Sequence, residues 1–187
     1  MARRHLTVGQ WLKDLNACKD GIAWIGDKSV YYAWRYCPHA DYLCWLYGAL
    51  DPHLGVRSAI AIARHATAGQ WFDRRLEEVY DHLLRWSGQT YHDPVGLRRR
   101  AHYLQTELND HPLAKALTWA SVCATANTPA LAGEAASVSC MASVESLGQE
   151  RDRSAASLAF SNVLRSTISV NDVENAWKRT VRAMKRR

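Results

Sequence analysis

The sequence holds no run of ~20 apolar residues of the kind that spans a bilayer. Its basic start, Met1 to His5 with Arg3 and Arg4, is not followed by the apolar stretch of a signal peptide. A cytoplasmic protein without a membrane partner is the expectation. Cysteine is sparse and odd in number: Cys18, Cys37, Cys44, Cys123 and Cys140 lack the density of a disulfide scaffold. They lie beside Ala, Trp and Leu in helix-like segments, where cysteine behaves as a small apolar residue, and a reducing compartment fits them. Phenylalanine is nearly absent, with two copies against eight Trp and eight Tyr. Those aromatics carry a polar handle, so they suit a core that reaches the surface and, for a minority, exposed anchors of a binding face.

Catalytic signatures are missing too. The chain has no Walker-type glycine loop, no dinucleotide fingerprint, no nucleophile elbow and no His-Glu-x-x-His pair. Cys37, His39 and Cys44, with Cys18 or His53 as further ligands, have spacings that match no standard zinc site. Glu78 and His82, four apart, suggest a solvated pair on one helix face rather than an acid–base couple. The expectation is a non-enzymatic protein without cofactor or metal.

What is present is a succession of capped helical segments. At 187 residues, with 48% hydrophobic and 22% charged residues, the chain can bury one substantial core. Thr7 and Gln10 form a capping-box pattern opening a helix through Trp11, Leu12, Leu15 and Cys18, and the apolar spacing runs on to Ile22 and Ile25. Ser29 caps a short helix that Pro38 ends. Asp41 reads as the cap of Tyr42 to Leu50, and Asp51-Pro52 has the N-cap and first-turn order. Val56, Ala59, Ile60 and Ala63 share one face. A long amphipathic helix runs from Gln70 to Trp86 with Trp71, Leu76, Val79, Tyr80, Leu83 and Leu84 inward. Residues 87–94 read as a surface loop before Asp93-Pro94 starts another helix.

From 113 to 165 Ala and Ser dominate. Ala116, Ala120 and Ala124 repeat every fourth residue, and Ala132, Ala135, Ala136 and Ala142 follow a break at Asn127-Thr128-Pro129. Small faces let helix axes approach closely. Asn171 or Asp172 caps a last helix with Val173, Ala176, Trp177, Val181 and Met184 on one stripe. The prediction is an all-α, single-domain bundle over 1–187 with seven to nine helices. Its helices are short within 1–50, longer from 51 to 187, and tightly packed in the Ala-rich second half.

The net charge of +6 is unevenly spread. Arg98, Arg99 and Arg100 follow the 87–94 loop, and Lys178, Arg179, Arg182, Lys185 and Arg186 lie largely opposite the apolar stripe of the last helix. These eight residues are the candidate partner-binding set. Part of the terminal charge complements the helix macrodipole. The remainder suits an acidic or nucleic-acid-associated protein partner, or nucleic acid itself, although no nucleic-acid-binding motif accompanies it.

Asn16-Ala17-Cys18-Lys19-Asp20, Ala23-Trp24, Ala33-Trp34 with Cys37, and Leu43-Cys44-Trp45-Leu46 after an acidic residue together resemble a known pattern. It is that of the Ala-rich all-α immunity-protein family of bacteria and phages. The run Arg57 to Arg64 is similar to a helix start of the same family, from which this chain departs at Tyr42, where the family has Trp. The resemblance covers about the first 65 residues. It implies an all-α protein that neutralises a toxin or a host defence effector by protein–protein contact. An anti-CRISPR-like phage inhibitor is one alternative, and a nucleic-acid-binding accessory protein is another.

Overall fold

The computed structural model describes residues 6–68, 73–147 and 153–186. They form eleven α-helices: α1 (Val8–Asp14), α2 (Lys19–Ile25), α3 (Val30–Tyr36), α4 (Ala40–Leu50), α5 (Pro52–Ala66), α6 (Arg74–Ser87), α7 (Pro94–Glu107), α8 (Pro112–Ala124), α9 (Pro129–Glu145), α10 (Arg153–Thr167) and α11 (Val170–Met184). The all-α reading holds, and the helix count exceeds the seven to nine expected. The first long run divides because Asn16 adopts a left-handed backbone, φ 56°, which ends α1 before Cys18 caps α2. Part of the Ala-rich stretch separates as α10.

Local chemistry sets most helix starts. The side chains of Thr7, Ser29, Asp51, Asp93 and Thr128 each accept a backbone N–H of the turn they open. Proline stands in the first turn of α5, α7, α8 and α9. Two expected caps are wrong. His39, not Asp41, precedes α4 and makes no side-chain cap; Ser157 Oγ of α10 instead accepts the Ala40 N–H at 3.1 Å. Ser169 caps α11, accepting the Asp172 N–H at 3.2 Å, and Asp172 sits in the first turn. The start of α6 at Arg74, capped by Asp73, leaves the expected Gln70 and Trp71 outside the described residues. Leu84, expected inward, is exposed at the edge of the Leu76–Val79–Tyr80–Leu83 stripe.

The centre is built from α4, α5, α8 and α9, with one hydrophobic core running from Val8 in α1 to Ala176 in α11. Small residues make this packing possible. Ala116, Ala120, Ala132, Ala135, Ala136 and Ala142 are all buried. A Cβ on Gly48 would lie 2.5 Å from the Ala132 carbonyl oxygen, and one on Gly133 would lie 2.8 Å from that of Trp45. Helices α4 and α9 therefore touch backbone to backbone, and only glycine fits on either side. Ser139 Oγ donates to the Ala116 carbonyl at 2.7 Å, joining α9 to α8 where both faces are small.

Helix α10 ties down the chain between α3 and α4. Arg165 donates to the carbonyls of Trp34 at 2.8 Å and Cys37 at 2.5 Å, satisfying oxygens that the end of α3 leaves without intrahelical partners. Trp34 Nε1 donates in return to the Ile168 carbonyl at 2.8 Å. Trp11 is buried and meets Trp177 edge-on at 5.4 Å, which seats α11 against α1. The tryptophans of the N-terminal third are core and half-buried packing residues, whereas Tyr31 and Tyr36 stay exposed on α3.

Candidate partner-binding surface

Helix α11 presents its apolar residues to the core and its cations to solvent, because the two sets follow the helical period on opposite sides. Val173 and Ala176 are buried, and Trp177 and Met184 pack against the core. Lys178, Arg179, Arg182, Lys185 and Arg186 are all exposed. The other cluster was expected just after a surface loop and reads differently in three dimensions. The loop is confined to residues 88–93, and Arg98, Arg99 and Arg100 stand on α7, exposed beside buried Leu97 and Ala101.

The eight candidates divide by what they touch. Arg100 pairs with Glu78 of α6. Lys178 pairs with Glu174 one turn earlier at 3.9 Å, and Arg179 reaches Asp51, the cap of α5, at 2.7 Å. Arg98 donates to Thr125 Oγ1 at the end of α8 at 3.2 Å. The side chains of Arg99, Arg182, Lys185 and Arg186 have no ion-pair or hydrogen-bond partner among the described residues. Internal contacts therefore engage half of the predicted set. The unpaired charge is concentrated at the end of α11, with Arg182 in its last turn, Lys185 at its C-cap and Arg186 just past it rather than on the helix as expected, and with Arg99 separate on α7.

One arginine from each cluster converges on a shared junction. Arg98 is bound at the end of α8 and Arg179 at the start of α5, and these two ends touch through Cys123 Sγ and the Pro52 carbonyl at 3.7 Å. His53 stacks on Trp86 at 4.3 Å beside that junction, and its Nδ1 is buried without a hydrogen bond. Position explains why sequence reasoning missed it: Asp51 and Arg179 are 128 residues apart, and no local period relates them.

Other charged groups are structural. Arg75 bridges Asp73 at 2.8 Å and Glu107 at 2.6 Å, holding the start of α6 to the end of α7. The Arg75 hydrogen bonds hold the Asp73 carboxyl below its ordinary range. Glu107 is lowered first by the Tyr103 hydroxyl and further by Arg75. Glu78 and His82 do not pair through their side chains: His82 Nδ1 donates to the Glu78 backbone carbonyl at 2.6 Å, and the Glu78 carboxylate serves Arg74 and Arg100.

The cysteines separate in the same way. Cys18 is exposed at the start of α2, and the other four thiols are buried. Burial pushes Cys37 up to about 11, and its thiol donates to the His39 carbonyl. Among the described residues no group of three or more His, Cys, Asp or Glu is placed to hold a metal ion. No described helix is long and apolar enough to cross a membrane.

These features define an all-α protein with a packed centre and a basic terminal helix. No family model matches the chain, and no curated protein or solved structure matches it either.

Proposed function

We propose that this is a non-enzymatic binding protein of immunity type, which neutralises a toxin or a host defence effector by contacting an acidic surface of that protein. The observation that carries the reading is the division among the basic residues. Arg182, Lys185 and Arg186 are exposed at the end of α11 with no carboxylate partner among the described residues, while Arg179 one turn earlier is held by Asp51. Arg182 in the last turn of a helix anchored by Val173, Ala176 and Trp177 is pre-positioned, with Lys185 and Arg186 in the turn that follows, so a complementary surface meets them with little loss of backbone freedom. The resemblance of the first third to immunity proteins supports the same class. An anti-defence inhibitor would use the same face against a different target.

The test is the triple variant Arg182→Ala/Lys185→Ala/Arg186→Ala. These side chains support no other described residue, so the fold remains while partner binding falls by at least tenfold at ~150 mM salt. Retention on DNA or RNA is measured in parallel at low and ~150 mM salt. Strong wild-type retention on nucleic acid that the triple variant loses would transfer the surface to the nucleic-acid reading and overturn the protein-partner one.

A further inference from the structure

Helices α1 to α4 and one side of α9 enclose a cavity of about 300 Å³ that the basic surface does not involve. Its walls include Trp24, Tyr42, Trp45 and Met141, and the charged residues lining it, among the described residues, are Asp20 and Asp41. Neither aspartate has an ion-pair or side-chain hydrogen-bond partner among the described residues. In a chain of net charge +6, this concavity combines aromatic faces with exposed Asp20 and half-buried Asp41, in the first turns of α2 and α4, and the nearest cation to an aromatic wall is the Lys28 ammonium, 6.0 Å from the Trp24 ring centroid. Burial pushes the Tyr42 phenol up, and neighbouring Cys18, Asp41 and Asp20 add to the effect.

That combination selects a ligand. A small concave site with mostly apolar walls and few polar groups is the usual form of a small-molecule pocket. Aromatic faces attract cations through their quadrupole, and unpaired carboxylates add direct charge attraction. An anion would meet both aspartates, and a neutral apolar molecule would leave them uncompensated. We infer that the cavity between α2, α4 and α9 binds a small organic cation with an apolar body, such as an aryl-alkyl ammonium. The apolar body sits against Trp24, Trp45 and Met141, and the ammonium faces Asp20 and Asp41. This goes beyond the protein-binding role, because the cavity is lined by no residue of α7 or α11.

The test titrates the full chain with phenethylammonium, its neutral counterpart 2-phenylethanol and the anion 3-phenylpropionate. The indole N–H resonances of Trp24 and Trp45 serve as reporters. The expected result is saturable shifts with the ammonium, about tenfold weaker binding of the alcohol, and no binding of the anion. Asp20→Asn/Asp41→Asn should weaken the ammonium about tenfold and leave the alcohol unchanged, a split that a merely structural role would not produce. Ser137→Leu, which fills the α9 wall, should weaken both. Equal affinity for ammonium and alcohol, an unaffected double variant, or no ammonium binding would overturn the assignment. So would binding of a peptide carrying Arg beside an aromatic residue when the free amine does not bind, because the cavity would then be an anchor for a protein side chain.

Discussion

Replacing Gly48 by alanine adds one methyl group where α4 lies against α9. The new Cβ would stand 2.5 Å from the Ala132 carbonyl oxygen, 2.9 Å from its carbon and 3.0 Å from the Ala136 Cβ. Two of these atoms are backbone, so no rotamer change relieves the contact and the helices must separate. Removing glycine from a helix interior returns about 1 kcal/mol. Overpacking costs about 1–3 kcal/mol and takes the upper end when the obstacle is backbone, so the net is a loss of about 1–2 kcal/mol. For a chain of this size that lowers Tm by roughly 2–8 °C. Gly88→Ala is the control: Gly88 has φ −87° and a Cβ there meets nothing nearer than 3.6 Å. That variant should gain about 0.4–1 kcal/mol by restricting the unfolded chain. Thermal and urea unfolding of both variants read the result. A Gly48→Ala protein as stable as wild type, or more so, would refute the claim that α4 and α9 pack backbone to backbone.

Arg165→Ala should lower unfolding stability by about 2–4 kcal/mol in urea melts, because the Trp34 and Cys37 carbonyls lose a charged donor. Arg165→Lys, which keeps the charge and loses the fork, should fall between it and wild type. A thiol reagent at neutral pH should label Cys18 rapidly in the native protein and the other four cysteines only as the chain unfolds. Raising the pH to 9 should not make Cys37 reactive, because burial pushes its thiol up to about 11. The Asp73 and Glu107 carboxyls lie below their ordinary range in the folded state, so the stability they contribute is fully present above the unfolded-state values. It is lost as pH falls through the folded ones. Amide exchange at the α6–α7 ends should therefore quicken only below the ordinary carboxylate range, and Arg75→Ala should remove the Asp73 part of that dependence while the Tyr103 hydroxyl keeps part of the Glu107 share.

Much of the architecture is legible because it is written in local chemistry. Thr7, Ser29, Asp51 and Asp93 cap the helices that their positions announce, and of the alanines singled out by spacing Ala116, Ala120, Ala132, Ala135, Ala136 and Ala142 are buried while Ala124 is only partly so. The left-handed Asn16 that splits α1 from α2 had a signal in its residue type, which tolerates that conformation. Ser157 on the α4 amide and Arg165 on the end of α3 had none. Each acts across more than a hundred residues and depends on where α10 lands. The candidate surface divides in the same way. A sequence shows where arginines cluster, and only the fold shows that Asp51, Glu78 and Thr125 engage three of them while the end of α11 stays unpaired.

The claim that this surface recognises a protein is tested most directly by quantitative affinity capture from host lysate. Wild type and the Arg182→Ala/Lys185→Ala/Arg186→Ala variant are compared at ~150 mM salt after nuclease treatment. The expected result is one stoichiometric protein partner with an acidic contact surface, retained by wild type and lost by the variant. Equal retention by both proteins, or capture that disappears with the nuclease, would contradict it.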